Sequence, residues 1–357
     1  MPQKPINVLV VGCGHMGASH ARAYHKMPEF NLVGVVSRGP ESRGKLSEEL
    51  GGLAQFDNFD DALAKTKPDA VSINTYPDTH AEYVMKSLNA GAHVFTEKPL
   101  ATTVEQCEEI VATAQRLGKK LVVGYILRVH PAWSKFIELA QTLGKPLVMR
   151  MNLNQQSSGE QWRTHRNLME SMSPIVDCGV HYVDVMCLMT QSRPVRVSGI
   201  GARLSDEIAD DMYNYGQLQV TFEDGSVGWY EAGWGPMMSE TAFFVKDVIG
   251  PKGSVSIVSG AQGDSDDIDS HSKTNALLLH RAERDARGAF AHPDETISTA
   301  DEPDHQQLCD LEQQFFYRAI SEDQDLSQHH ADAINSLRVV LAADESFKTG
   351  KTVALPA

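Results

Sequence analysis

Short apolar runs alternate with longer stretches of helical spacing through the first third of the chain. Residues 7–11, 32–36, 70–74, 93–96 and 120–124 are continuous apolar runs, rich in β-branched side chains and without polar alternation. Such runs predict strands covered on both faces, as in a parallel sheet between helices. Between them, apolar positions at 16–27, 79–89 and 104–117 recur at the spacing of an amphipathic helix. Pro77, Asp78 and Thr79 supply a start signal for the second of these. The alternation predicts a doubly wound parallel α/β sheet over residues 1–124.

The texture changes after Tyr125. Helical spacing at 131–143 and 174–189 is followed by strand-like segments at 195–203, 213–222, 226–234 and 241–249, with Glu223, Asp224 and Gly225 as a hairpin turn. Strands in succession predict a mainly antiparallel open sheet, hence a second, α+β domain over 125–357. Residues 259–305, rich in Asp, Ser, Gly and His, are expected to form a long excursion with one short helix at 277–287. Helical spacing returns at 308–320 and 329–347, and there is no internal repeat.

Composition narrows the class. With 357 residues, 41% hydrophobic and 22% charged, the chain fits a two-domain globular protein and not a disordered, collagen-like or coiled-coil one. Lys plus Arg number 32 against 47 for Asp plus Glu, a net charge of −15 that repels nucleic-acid phosphates and anionic lipid, and no basic patch offsets it. The five cysteines are scattered and form no CxxC pair, which argues against a disulfide framework and a zinc site. No targeting segment or run of 18 apolar residues stands out, so a cytoplasmic protein without a nucleic-acid or membrane partner is expected.

Gly12-Cys13-Gly14-His15-Met16-Gly17 follows the first predicted strand and opens the first predicted helix. In that setting GxGxxG predicts dinucleotide binding: Gly12 for the tight turn, Gly14 for approach of a pyrophosphate, Gly17 for close helix packing. The second strand ends at Val36 without the acidic residue that would hold an NAD ribose; Ser37, Arg38 and Arg43 stand there instead. A hydroxyl and two guanidinium groups suit a 2′-phosphate, so NADP is favoured, with NAD as the alternative.

Two further segments carry candidate chemistry. Thr96-Glu97-Lys98-Pro99 closes the fourth apolar run at the carboxyl edge of the predicted sheet, where such folds place ligands. Lys98 there either meets a substrate or pairs with Glu97 or Asp177. Asp177 and His181 stand four apart, on one face if the segment is helical, and a carboxylate can orient an imidazole for proton transfer. By spacing alone, Asp and His four apart more often form a surface or capping pair than a catalytic one.

Taken together these pieces resemble the glucose-fructose oxidoreductase and inositol dehydrogenase (Gfo/Idh/MocA) family. The matching segments are GCGHMG from Gly12, NTYPDTH from Asn74 to His80, EKPL from Glu97, GYILRVHP from Gly124, QWR from Gln161 and DCGVH from Asp177. The resemblance implies a Rossmann domain followed by a domain with a broad open sheet that commonly forms homodimer or homotetramer contacts. It implies Lys98, Asp177 and His181 as the active-site group. It further implies that His15, Met16, Asn74, Thr75, Pro77 and His80 line the cofactor, with Glu97 near the nicotinamide ribose and Trp162 and Arg163 near an NADP. Tyr125, Arg128 and His305 are additional candidates for substrate hydroxyls, beside Lys98, Asp177 and His181.

The expected activity is reversible NAD(P)-dependent oxidation of a secondary alcohol on a sugar, cyclitol or related polyol, with His181 as base and Lys98 stabilising charge on the oxygen. The rivals are a cofactor-binding sensor without chemistry and a glycosidase with a transient redox step. Weaker matches are set aside. His80-Ala81-Glu82 lacks the cysteines of a zinc deaminase, and the acidic run Asp264 to Asp269 lacks the turn glycine of a calcium loop. Trp229, Tyr230 and Trp234 are expected in sheet packing or a subunit interface.

Overall fold

A computed structural model describes residues 4–239, 245–258 and 272–356. The chain divides into two compact units, one of Met1–Val129 with Asp304–Ile334, the other of His130–Pro303 with Asn335–Ala357. The first unit therefore recruits a late segment that a single cut near residue 124 does not anticipate.

The first unit is a Rossmann sheet. Strands β1 (Ile6–Val11), β2 (Phe30–Val36), β3 (Gln55–Phe56), β4 (Ala70–Ile73), β5 (His93–Glu97) and β6 (Leu121–Gly124) lie in the order β3-β2-β1-β4-β5-β6. All pair in parallel. The helices are α1 (His15–Lys26), α2 (Pro40–Glu49), α3 (Phe59–Thr66), α4 (His80–Asn89), α5 (Val104–Leu117) and the short α6 (Ile126–Val129). A short 3-10 turn at Pro77–Thr79 leads into α4, as the Pro-Asp-Thr signal predicts. Helices α2 and α3, absent from the sequence-based expectation, carry few buried apolar residues each. In the first unit Val8, Val10, Tyr24, Phe30, Phe95 and Val122 form one core. Phe316 joins it, its ring 6.3 Å from Phe30 and 6.1 Å from Phe95, which explains why a late helix belongs to this unit.

The second unit is built on a nine-stranded sheet. Helix α7 (Pro131–Thr142) precedes β7 (Val148–Gln156), then come α8 (Gly159–Leu168), α9 (Pro174–Asp177) and α10 (Gly179–Thr190). The strands β8 (Pro194–Ala202), β9 (Tyr215–Phe222), β10 (Val227–Gly235), β11 (Lys246–Gly250), β12 (Gly253–Val258), β13 (Ala276–Arg281), β14 (Glu295–Ser298) and β15 (Val353–Ala354) follow. Their order is β14-β13-β12-β11-β7-β10-β9-β8-β15, antiparallel except for the β7–β10 pair. Helices α11 (His305–Ser321) and α12 (Ser327–Thr349) complete the chain, and the boundary between the units falls within α12.

Two expectations are corrected. The helix expected at 277–287 is strand β13, because Leu277 and Leu279 are buried on alternate positions while their neighbours are not, a period of two. The single helix expected at 174–189 is two, α9 and α10, joined at Cys178. The acidic run 264–269 and the opening of the strand expected at 241–249 lie outside the described residues. Among the described residues no helix is long and apolar enough to cross a membrane.

Candidate active site

In the first unit the glycine loop has the geometry its pattern demands. Gly12 adopts φ +95°, and a Cβ there would stand 2.3 Å from the Asn74 carbonyl oxygen, so only glycine fits. A Cβ on Gly17 would stand 2.0 Å from the Gly12 oxygen, which keeps α1 pressed on the loop. Gly14, the N-cap of α1, is exposed, a Cβ on it would meet nothing within 4 Å, and it provides no side-chain cap. No acidic residue stands in the first turn. The result is an uncapped helix N-terminus, with amide donors and a positive dipole end directed at open space, which fits a pyrophosphate.

Ser37 and Arg38 follow directly on β2, and Arg43 on α2 reaches back to Ser37. Arg43 donates from Nη1 to the Ser37 carbonyl, and Arg38 is exposed. Cys13 in the glycine loop lies near enough to feel the Arg43 charge; burial pushes its thiol up to about 11 and Arg43 opposes that rise. No acidic side chain replaces them at the strand end.

The edge of the sheet beyond β4 and β5 is tied together by His80. Its Nδ1 lies 2.8 Å from the Pro99 oxygen and its Nε2 2.9 Å from the Thr75 oxygen. Burial lowers its pKa although both carbonyls pull the other way. His80, expected to line the cofactor, is fully buried and acts instead as the brace that fixes Thr75 against the Lys98–Pro99 turn. Asn74 is buried and bonds back to Ser72 at 3.2 Å, while Thr75 and Pro77 are half-buried at the edge. Glu97 is buried, with Oε1 2.9 Å from His20 Nε2 and Oε2 accepting from the Lys98 amide at 3.3 Å. Lys98 itself is half-buried.

Three substrate candidates are reassigned. The Arg128 guanidinium is 2.8 Å from Asp332 and 5.5 Å from the Tyr125 ring centre, and Tyr125 is buried against His329. Arg128 ties α6 to α12, and an ion pair this sheltered leaves little charge for a ligand; Tyr125, just before α6, packs its ring 6.0 Å from that of His329. His305 opens α11 beside the glycine loop, its ring 5.1 Å from that of His15. Its surroundings are those of the glycine loop.

In the second unit Asp177 ends α9 and His181 sits in the first turn of α10. The backbone stays near helical through Cys178, with the His181 amide donating to the Cys178 oxygen at 3.2 Å. His181 is buried and Asp177 half-buried. Sequence reasoning missed the residues around them. The His165 ring stacks on Trp234 at 4.5 Å, its Nδ1 lies 2.9 Å from Ser157 Oγ, and it feels the Asp177 charge. Burial nevertheless brings it down to about 4, so it is neutral near neutral pH. Trp234 donates to Gln155 at 2.9 Å, and Cys178 Sγ lies 3.6 Å from Asp177 Oδ2. Lys246, fully buried at the start of β11, holds its Nζ 5.6 Å from the Tyr182 ring centre, and burial drives its pKa well down. His165 lies inside the segment that opens with Gln161, Trp162 and Arg163, the one signal that could have found it; Gln155 and Lys246 carried none.

Trp162 spends its single donor on Glu207 at 3.1 Å, and Arg163 is exposed and paired with Glu160. Of the expected aromatic residues on β10, Tyr230 and Trp234 are buried in sheet packing and Trp229 is half-buried.

Two family models match the chain. Residues 6–125 match the model of an oxidoreductase family with an NAD-binding Rossmann fold, and residues 137–256 match that of the GFO/IDH/MocA C-terminal domain. A UDP-N-acetylglucosamine 3-dehydrogenase of Acidithiobacillus ferrooxidans is 30% identical over 56% of this chain and 59% of its own. A D-glucoside 3-dehydrogenase of Escherichia coli is 29% identical over 52% of this chain and 54% of its own. The matches thus span little more than half the length of these relatives. A scyllo-inositol dehydrogenase from Lactobacillus casei, solved with NAD(H) and scyllo-inositol, superposes with a TM-score of 0.77 over 98% of this chain and 99% of its own at 21% identity. At that identity the likeness speaks for the fold.

Proposed function

The chain belongs to the Gfo/Idh/MocA oxidoreductase family, and from that premise we propose that it is an NAD(P)-dependent dehydrogenase of a sugar, cyclitol or related polyol. The observation that carries the reading is the glycine-cleared, uncapped N-terminus of α1. The Gly12–Gly17 loop would hold the pyrophosphate, and Ser37, Arg38 and Arg43 would hold a ribose 2′-phosphate, which favours NADP over NAD. Bound there, the nicotinamide supplies a hydride acceptor for the alcohol carbon. His181, sheltered from water, takes the hydroxyl proton; Lys98 hydrogen-bonds the reacting oxygen and stabilises the charge that develops on it; Asp177 orients substrate or imidazole. The names of the curated relatives, which act on sugars, support the substrate class.

The same reading extends to a homodimer or homotetramer formed through the sheet of the second unit. Ile249, Val148 and Val227 stand side by side across β11, β7 and β10, each 40–42% exposed.

The test is a panel of inositols, glucosides and nucleotide sugars offered with NAD⁺ or NADP⁺, read by absorbance of the reduced nicotinamide. His181→Ala should lower kcat by about 10²- to 10⁴-fold while cofactor affinity changes little. Undiminished turnover in that variant removes His181 from the mechanism, and cofactor binding without any reduction across the panel overturns the enzyme reading.

A further inference from the structure

A buried relay runs from α1 to the end of β5 within the first unit. The Tyr24 hydroxyl donates to Gln313 Oε1 at 2.5 Å, Gln313 Nε2 donates to His20 Nδ1 at 2.8 Å, and His20 Nε2 donates to Glu97 Oε1 at 2.9 Å. With Nδ1 accepting, a neutral imidazole must carry its proton on Nε2. Glu97 thus receives His20 on one oxygen and the Lys98 amide on the other. Burial raises its pKa, but His20 and the Lys98 charge outweigh burial and leave it below the ordinary value, so Glu97 is the anion.

Glu312, next to Gln313 on α11, is as deeply buried, yet neither of its oxygens receives a donor. A buried carboxylate without donors is strongly disfavoured, whereas a carboxylic acid can use an acceptor. The acceptor at hand is Glu97. Gly124 pairs directly with Glu97 across β5 and β6, and a Cβ on Gly124 would stand 3.5 Å from both Glu312 Oε1 and Glu97 Cδ. The two carboxyl groups therefore converge over a residue that has no side chain to separate them. Burial and the Glu97 charge push the Glu312 carboxyl well above the usual range, in agreement with this geometry.

We propose that Glu312 is a positioning residue which stays protonated and gives that proton to a hydrogen bond with Glu97, so that the pair holds one proton and one negative charge against the Lys98 backbone. Its ionisation would set two carboxylates against each other and loosen Glu97 from His20 and from the Lys98 amide. The groups facing the pair are His20 and Tyr24 of α1, His80 of α4, whose own pKa burial lowers, Lys98 beyond β5, and Cys309 and Gln313 on α11 itself; Arg128 of α6, which packs on the same helix, is neutralised by Asp332. His20, Cys309 and Glu312 bring polar atoms within 4.8 Å of one another, but both His20 nitrogens are engaged in the relay, which favours a proton over a metal ion.

The proton is read on the whole chain by infrared difference spectroscopy at about pH 8, where an ordinary carboxyl is ionised. Wild type minus Glu312→Gln should show the carbonyl band of a protonated carboxylic acid. Its absence overturns the proposal, as does one zinc ion per purified chain that is lost in the variant. The kinetic arm rests on the dehydrogenase reading. Gln keeps a neutral donor, so Glu312→Gln should hold kcat within about threefold and lose the alkaline limb of the pH profile, while Glu312→Leu should lower kcat at least about tenfold with KM for the cofactor unchanged. Equal losses in the two variants overturn the positioning role. If no alcohol is oxidised, the dehydrogenase reading fails by itself and the infrared band still decides where the proton lies.

Discussion

Arg43 shows how much a residue's neighbours change its meaning. In the sequence it is a charge seven positions past a strand; in the structure it lies on α2, folds back onto Ser37 and influences Cys13 in the glycine loop. A guanidinium so placed adds forked donors where a 2′-phosphate would sit. Arg43→Ala should therefore weaken NADPH binding by about tenfold, roughly 1.4 kcal/mol, with NADH affinity nearly unchanged by calorimetric titration. An equal loss for both nucleotides would show that Arg43 merely supports the loop. The glycines, Lys98, Asp177 and His181 were singled out because each sits in a short contiguous pattern. His165, Gln155 and Lys246 were not, because the features that single them out are a stacked indole, a shared acceptor and a buried aromatic ring, all distant in sequence.

At the scale of elements, the exposed flank of β6 is closed by a helix. β6 ends the first sheet, yet the Val123 amide donates to His329 Nε2 at 2.9 Å and His330 Nε2 lies 2.8 Å from the Leu121 oxygen. Two imidazoles of α12 thus take the place of a seventh strand, which answers the edge-strand problem without a neighbour. His329 can accept only when neutral, and burial, with Arg128 and His330 nearby, drives its pKa well below the ordinary value. His330 is lowered too, by burial first. The sign follows: this stability is fully present above the unfolded-state pKa near 6.5 and is lost as pH falls below it, by up to about 1.4 kcal/mol per pH unit for each such histidine. Urea midpoints should fall from about pH 7 to about pH 5, and less steeply in His329→Leu, which is itself less stable by about 1–3 kcal/mol because the Val123 amide loses its acceptor. A midpoint flat over that range would remove the histidines from the account. Elements with a strong apolar period were legible; β13 was misread because three successive leucines fit either period until the sheet shows which are buried.

On the scale of the whole molecule, the nine-stranded sheet leaves a row of apolar side chains in view. Ile249, Val148 and Val227 belong to three adjacent strands, and Ile200 on β8 is 64% exposed. Single exposed apolar residues are ordinary, whereas several aligned in one row fit burial against another copy. Val148→Lys should shift the mass measured by light scattering toward that of one chain, with the circular dichroism unchanged. A wild-type chain that is already monomeric at micromolar concentration would remove this interface.

By itself the sequence determined the main strands and helices of the first unit (β1, β2, β4, β5, β6, α1, α4 and α5), the glycine loop, the absence of an acidic residue directly after β2 and the residues that carry the family resemblance. These are local: a turn that excludes Cβ atoms, or an apolar period, is written in neighbouring positions. Tertiary structure alone decided that 304–334 pack with the first unit, that β7 runs parallel to β10 in the middle of an antiparallel sheet, and that Glu97 and Glu312 both approach Gly124. Pairings of that kind join residues tens to hundreds of positions apart. They are selected by which buried faces and polar groups can all be satisfied at once, a condition that no stretch of sequence expresses alone.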